Sequence, residues 1–156
     1  MTTDEILYKL ATKCSISEQC LSDIEAKLSR YDLTEEERTH ILRHLMEEKY
    51  VDDRRYAEAY VKDKYRFNKW GRIKIAQGLR MKGIDTETIK SAMAAIDEEE
   101  YMDILRDLIK AKRRSTRGSS EYEINGKLIR FATGRGFEFA AIRECLNVTE
   151  RDEMDW

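Results

Sequence analysis

Two fifteen-residue stretches, LRMKGIDTETIKSAM at 79–93 and ATGRGFEFAAIRECL at 132–146, constrain this chain more than any other feature. Each reads as the end of an amphipathic helix, a glycine, and the start of a second helix. Glycine stops a helix there because it enters the left-handed region without a steric penalty. Moving residues 75–93 forward by 53 positions sets Ile75 on Leu128, Leu79 on Ala132, Gly83 on Gly136 and Ile84 on Phe137. The same shift sets Ile89 on Ile142, Ala92 on Cys145 and Met93 on Leu146. A shift of 51 the other way meets Ile24, Leu28, Asp32, Leu33, Arg38, Ile41 and Leu42. Register that survives helix, stop and helix without a gap marks a repeated supersecondary unit.

Three repeats of three helices follow, at residues 1–48, 49–97 and 98–147, with an acidic tail at 148–156. A unit this small buries too little apolar surface alone, so neighbours must stack. The expected fold class is therefore all-α, with three tandem three-helix repeats forming an elongated, curved helical array. The chain has no proline, the strongest helix breaker, and no segment of real length alternates as a strand does.

Apolar stripes and caps place the helices. The first is expected over about Asp4–Cys14, and the second opens near Ser17 and buries Leu21, Ile24 and Leu28. Thr34-Glu35-Glu36-Glu37 is a capping box for the third. Either Asp52 or Asp53 caps the fourth, striped by Tyr56, Ala57, Tyr60 and Val61. The fifth is expected from near Trp70 to Lys82, with Ile75 and Leu79 inward, and Asp85 caps the sixth. The seventh covers about Glu98–Lys112, acids first and bases last as the helix dipole prefers. The eighth covers about Glu121–Thr133 and the ninth Glu138–Leu146.

A net charge of −2 conceals strong zoning. Residues 62–82 hold eight Lys/Arg against one acid, Asp63, and residues 110–135 hold eight against Glu121 and Glu123. Residues 1–50 are instead acidic, with eleven Asp/Glu against seven Lys/Arg. A merely solvated face mixes both signs, so the basic zones point to phosphates or to an acidic protein surface beside them. Trp70 reads either as a ring for stacking on a base or as a packing residue between units.

Catalytic chemistry finds little support. The chain has no phosphate-loop, dinucleotide or HExxH motif, and no serine or cysteine with an evident histidine and acid to activate it. His40 and His44 sit four apart but lie off the Ile41/Leu42/Leu45 stripe, so no metal or other cofactor is expected. Cys14, Cys20 and Cys145 form no CxxC pair and read as small core hydrophobes in a reducing compartment. With no apolar run near the roughly 20 residues that span a bilayer, the expected location is the cytoplasm.

One ordered set of residues resembles a known family. YVDDRRYAEAYVKDKY at 50–65, KWGRIKIAQGLRMKGIDTETIKSAM at 69–93 and FATGRGFEFAAIRECL at 131–146 are similar to RecX, the bacterial regulator of the RecA recombinase. Tyr50, Asp52, Asp53, Tyr56, Ala57, Gly71, Ile75, Leu79, Lys82, Gly83, Ile84, Arg135, Gly136 and Phe137 carry the resemblance, which covers about 17–147. Gly78 departs from it, standing where the family usually has an acid.

The resemblance implies an extended, curved monomer, binding in the groove of the RecA–DNA filament and loss of its ATPase, strand-exchange and co-protease activities. The candidate contacts, taken from charge and position, are Lys69, Arg72, Lys74, Arg80, Lys82, Arg113, Arg114, Arg117, Lys127, Arg130 and Arg135, with Arg72 and its neighbours forming an outward ridge. Two other readings stay open: a stand-alone DNA-binding protein of helix-turn-helix type, and a helical scaffold that binds only proteins.

Overall fold

Several helix stops and caps lie where local chemistry demands them. In the computed structural model, residues 1–146 are described. The tail expected at 148–156 lies outside them. The described residues form nine helices and no strand: α1 (Thr3–Ile16), α2 (Leu21–Leu28), α3 (Glu35–Glu47), α4 (Asp53–Arg66), α5 (Arg72–Met81), α6 (Thr86–Ala94), α7 (Glu98–Ser115), α8 (Glu121–Gly134) and α9 (Phe139–Leu146).

Gly83 and Gly136 adopt φ of 76° and 92°, the left-handed conformation assigned to them. Their hydrogen bonds repeat with the same 53-residue offset as the sequence. Ile84 N donates to Leu79 O and Gly83 N to Arg80 O, while Phe137 N donates to Ala132 O and Gly136 N to Thr133 O. The capping box of α3 is present: Glu37 N donates to Thr34 Oγ1 and Thr34 N to Glu37 Oε1. Asp97 caps α7 by accepting from Glu100 N.

Two of the three middle helices, α2 and α5, start later than their sequences suggest. Ser17 closes α1 rather than opening α2, and α5 begins at Arg72 rather than Trp70. Cys20, at the N-cap of α2, offers no side-chain cap bond. Leu21 N donates instead to Asp53 Oδ1, at 2.8 Å. The pair Asp52-Asp53 is thereby divided: Asp52 Oδ1 caps α4, accepting from Arg54 N and Arg55 N, and Asp53 caps a helix 32 residues away.

The chain divides into two compact units. The first comprises Met1–Ala59 with Leu79–Ala92. Its core gathers Ile6, Leu10 and Cys14 from α1, Ile24 and Leu28 from α2, Ile41 and Leu45 from α3, and Val51 from the α3–α4 turn. The second comprises Tyr60–Gly78 with the described residues from Met93 onward. There α7, α8 and α9 pack on one another, burying Tyr101, Leu105, Ile109, Leu128, Ala132, Phe137 and Ile142. Tyr65, which the α4 stripe missed, is buried beside Tyr101, with ring centroids 6.3 Å apart. All three thiols are free and burial raises the pKa of each; Cys14 and Cys20 are buried, as expected of core hydrophobes, whereas Cys145 is half-buried.

Candidate nucleic-acid interface

Arginine is the residue most suited to phosphate, but several arginines here bond within the protein. In the second unit, the Arg72 guanidinium lies 4.0 Å from the Tyr101 ring centroid. It bonds Glu138 Oε2 at 2.9 Å and also Glu98 Oε2. Tyr101 Oη accepts from Arg72 N at 3.0 Å and donates to Glu138 Oε1. Burial, then the Glu138 carboxylate, pushes the Tyr101 hydroxyl far above its ordinary pKa. This group joins the N-terminal ends of α5, α7 and α9. The outward ridge is therefore corrected at Arg72, which turns onto Tyr101 and two carboxylates.

Gly71 and Gly136 bring the start of α5 against the α8–α9 turn. Gly71 N donates to Arg135 O at 2.8 Å and Ile73 N to Gly136 O at 3.0 Å. A Cβ on Gly71 would stand 2.3 Å from Gly136 C, and one on Gly136 2.3 Å from Lys74 Cβ. Arg135 is also engaged, its Nε donating to Lys69 O at 3.1 Å and its Nη2 to Asn68 O.

An analogous joint occurs in the first unit. Ser22 Oγ donates to Lys82 O at 2.6 Å, and Lys82 Nζ bonds Asp23 Oδ1 at 2.9 Å. Burial pushes the Asp23 carboxyl up, yet the bonds from Lys82 and Cys20 outweigh it and hold the pKa below the usual aspartate value. In each joint, a turn after the middle helix of one expected repeat meets the start of an earlier middle helix.

Other predicted contacts divide by partner. Arg113 bonds Glu121 and Asn125, and Lys127 bonds Arg117 O and pairs with Glu123. Lys69 donates to Arg66 O. Arg80, Arg114, Arg117 and Arg130 are exposed, and none forms an ion pair with another described residue. Among the motif residues, Tyr50 O accepts from Arg55 Nη2, Tyr56 is half-buried and Phe137 is buried. Gly78 gives space to the Tyr60 ring, since a Cβ there would lie 2.1 Å from Tyr60 Oη.

Two residues at the end of α4 and just beyond it, Lys64 and Phe67, are absent from the contacts expected from the sequence. Phe67 is 78% exposed, and Lys64 Nζ lies 4.7 Å from the Trp70 ring centroid. The signal was available: Ala57, Val61 and Tyr65 recur every four residues on α4, which leaves Phe67 off that face.

Comparison with known proteins adds a consistent set of likenesses. Residues 52–93 match the model of the second three-helix domain of RecX, and residues 98–146 that of the third. The regulatory protein RecX of Clostridium acetobutylicum is 31% identical over 150 residues, covering 92% of this chain and 69% of that protein. That of Halalkalibacterium halodurans is 28% identical, covering 86% of this chain. The chain spans 52% of the latter, about half its length. A crystal structure of regulatory protein RecX superimposes with a TM-score of 0.81 at 26% identity, over 94% of this chain and 73% of the other. RecX from Lactobacillus salivarius gives 0.82 at 21% identity, over 93% and 94%, a likeness of fold.

Proposed function

The chain belongs to the RecX family of regulatory proteins, and from that premise we propose that it regulates the RecA recombinase by binding the recombinase–DNA filament in its groove. It acts without catalysing a reaction, as a cytoplasmic monomer, and lowers filament ATPase, strand exchange and co-protease activity. In this reading the repeats are 1–48, 49–97 and 98–147. The basic second and third face DNA phosphate and acidic filament surface, and the acidic first faces basic recombinase surface or solvent.

The observation that supports this most is the sorting of cations in the two basic zones. Arg72, Lys82, Arg113, Lys127 and Arg135 bond within the protein. Arg80, Arg114, Arg117 and Arg130 are exposed without an ion-pair partner among the described residues. Unpaired guanidinium groups suit phosphate, which they grip by two parallel bonds.

The test is the ATPase of the recombinase on single-stranded DNA with this protein at stoichiometric amounts. The wild type inhibits, and a variant with Arg80, Arg114, Arg117 and Arg130 all changed to Glu inhibits far less. No inhibition by the wild type refutes the proposal. Full inhibition by the variant indicates a scaffold that contacts only protein. Retention of one duplex over random competitor indicates a sequence-specific DNA binder instead.

A further inference from the structure

We infer that the connection between α4 and α5 is a contact site for single-stranded nucleic acid, with Phe67 stacking on a base and Lys64 and Lys74, gathered at the Trp70 ring, holding phosphate. The inference rests on the filament reading for its class of partner, and it assigns that partner a place on the chain.

The connection is held in shape. Lys69 has a φ of 58°, uncommon for a residue with a side chain. Trp70 N donates to Lys64 O at 3.0 Å, Phe67 N to Asp63 O at 2.9 Å, and Arg135 holds the carbonyls of Asn68 and Lys69. Preorganisation of this kind lowers the entropy lost on binding.

Its side chains divide into two sets. Arg66 pairs with Glu100, Arg72 with Glu98 and Glu138, and Arg135 bonds carbonyls, so these arginines fix the frame. Lys64 and Lys74 instead gather at one indole, their Nζ atoms 4.7 and 4.5 Å from the Trp70 ring centroid. Neither forms an ion pair with a described carboxylate, and Asp63 is the one acid in residues 62–82. Two like charges at one ring repel, and a bound phosphate removes that repulsion. Phe67, in the same connection, is 78% exposed, and Trp70 is half-buried.

An exposed ring next to ammonium groups is what single strands use, because every unstacked base offers a π-face and every nucleotide a charge. A duplex keeps its bases stacked and out of reach. A protein partner fits less well, since protein interfaces are depleted in lysine.

The probe is a short oligothymidylate titrated against the full chain carrying Trp156→Phe, so that Trp70 is the sole tryptophan. Binding quenches Trp70 fluorescence. Phe67→Ala, at an exposed position, weakens binding about tenfold, and Phe67→Tyr restores it. Lys64→Gln with Lys74→Gln lowers the slope of log K against log salt by about 1.4, for two phosphates on a single strand. Lys9→Gln on α1 leaves all of this unchanged.

Absence of quenching, Phe67→Ala binding within twofold of wild type, or an unchanged salt slope overturns the inference. Binding of poly-glutamate that needs the two lysines but not Phe67 also overturns it, in favour of an acidic protein surface. Inhibition of recombinase ATPase by a wild type that ignores the oligonucleotide leaves the regulator reading standing alone. Stacking without any effect on the recombinase does the reverse.

Discussion

Replacing Gly71 with alanine adds one methyl group where two backbones touch. The new Cβ would lie 2.3 Å from Gly136 C, Gly136 O and Phe137 N. Carbon atoms rest at about 3.5 Å or more, so the start of α5 and the α8–α9 turn must part by over about 1 Å. The bonds Gly71 N to Arg135 O and Ile73 N to Gly136 O, now 2.8 and 3.0 Å, would then exceed the range of a useful hydrogen bond. Stranding a buried polar group costs about 1–3 kcal/mol. Two such bonds give a loss of about 2–6 kcal/mol, against a total stability near 5–15 kcal/mol for an ordinary domain. Gly71 is not in the left-handed region, so its need is for space alone.

Gly134, in the same unit, is the control. A Cβ there meets nothing within 4 Å, and the residue closes α8. Gly134→Ala should stabilise by up to about 1 kcal/mol through helix propensity. Urea denaturation followed by both circular dichroism and Trp70 fluorescence would measure each change. A Gly71→Ala midpoint matching wild type, or equal losses at both glycines, refutes the close-approach argument.

Three further outcomes are expected. Arg72→Lys should destabilise by about 1–3 kcal/mol, because one ammonium cannot bond Glu98 and Glu138 while stacking on Tyr101; thermal melts will show it. Gly78→Ala should destabilise despite better helix propensity, and a double-mutant cycle with Tyr60→Ala should give a coupling of about 1 kcal/mol or more, since the added Cβ collides with that ring. Asp23 has a lowered pKa in the folded state, so its contribution is intact above the unfolded aspartate value near 3.9 and falls away as the pH drops through the lower folded value. Asp23→Asn should therefore reduce the acid-side loss of stability, measured by urea titration at successive pH values.

Features visible in the sequence are those whose cause lies within a few residues. Thr34 and Glu37 cap each other across one turn, Gly83 and Gly136 end the helices that precede them, and α7 carries its acids and bases at the dipole-preferred ends. The apolar stripes located the buried faces of α2, α3 and α5 for the same reason. The starts of α2 and α5 are displaced because their first N–H groups are taken by distant partners. Leu21 N finds Asp53, and Arg72 N finds Tyr101 Oη, partners 32 and 29 residues away. Charge zoning likewise marked the basic segments but not which cations have partners.

By itself, the sequence determined the helical class, the repeat and its glycine joints, because periodicity and backbone sterics act locally. Only the tertiary structure decided that Asp52 and Asp53 serve different helices, that Arg72 turns inward, and that Gly78 leaves space for Tyr60. Those outcomes depend on which donors, acceptors and rings are brought together across tens of residues. A buried N–H takes whatever acceptor packing places beside it, and no local pattern encodes that choice.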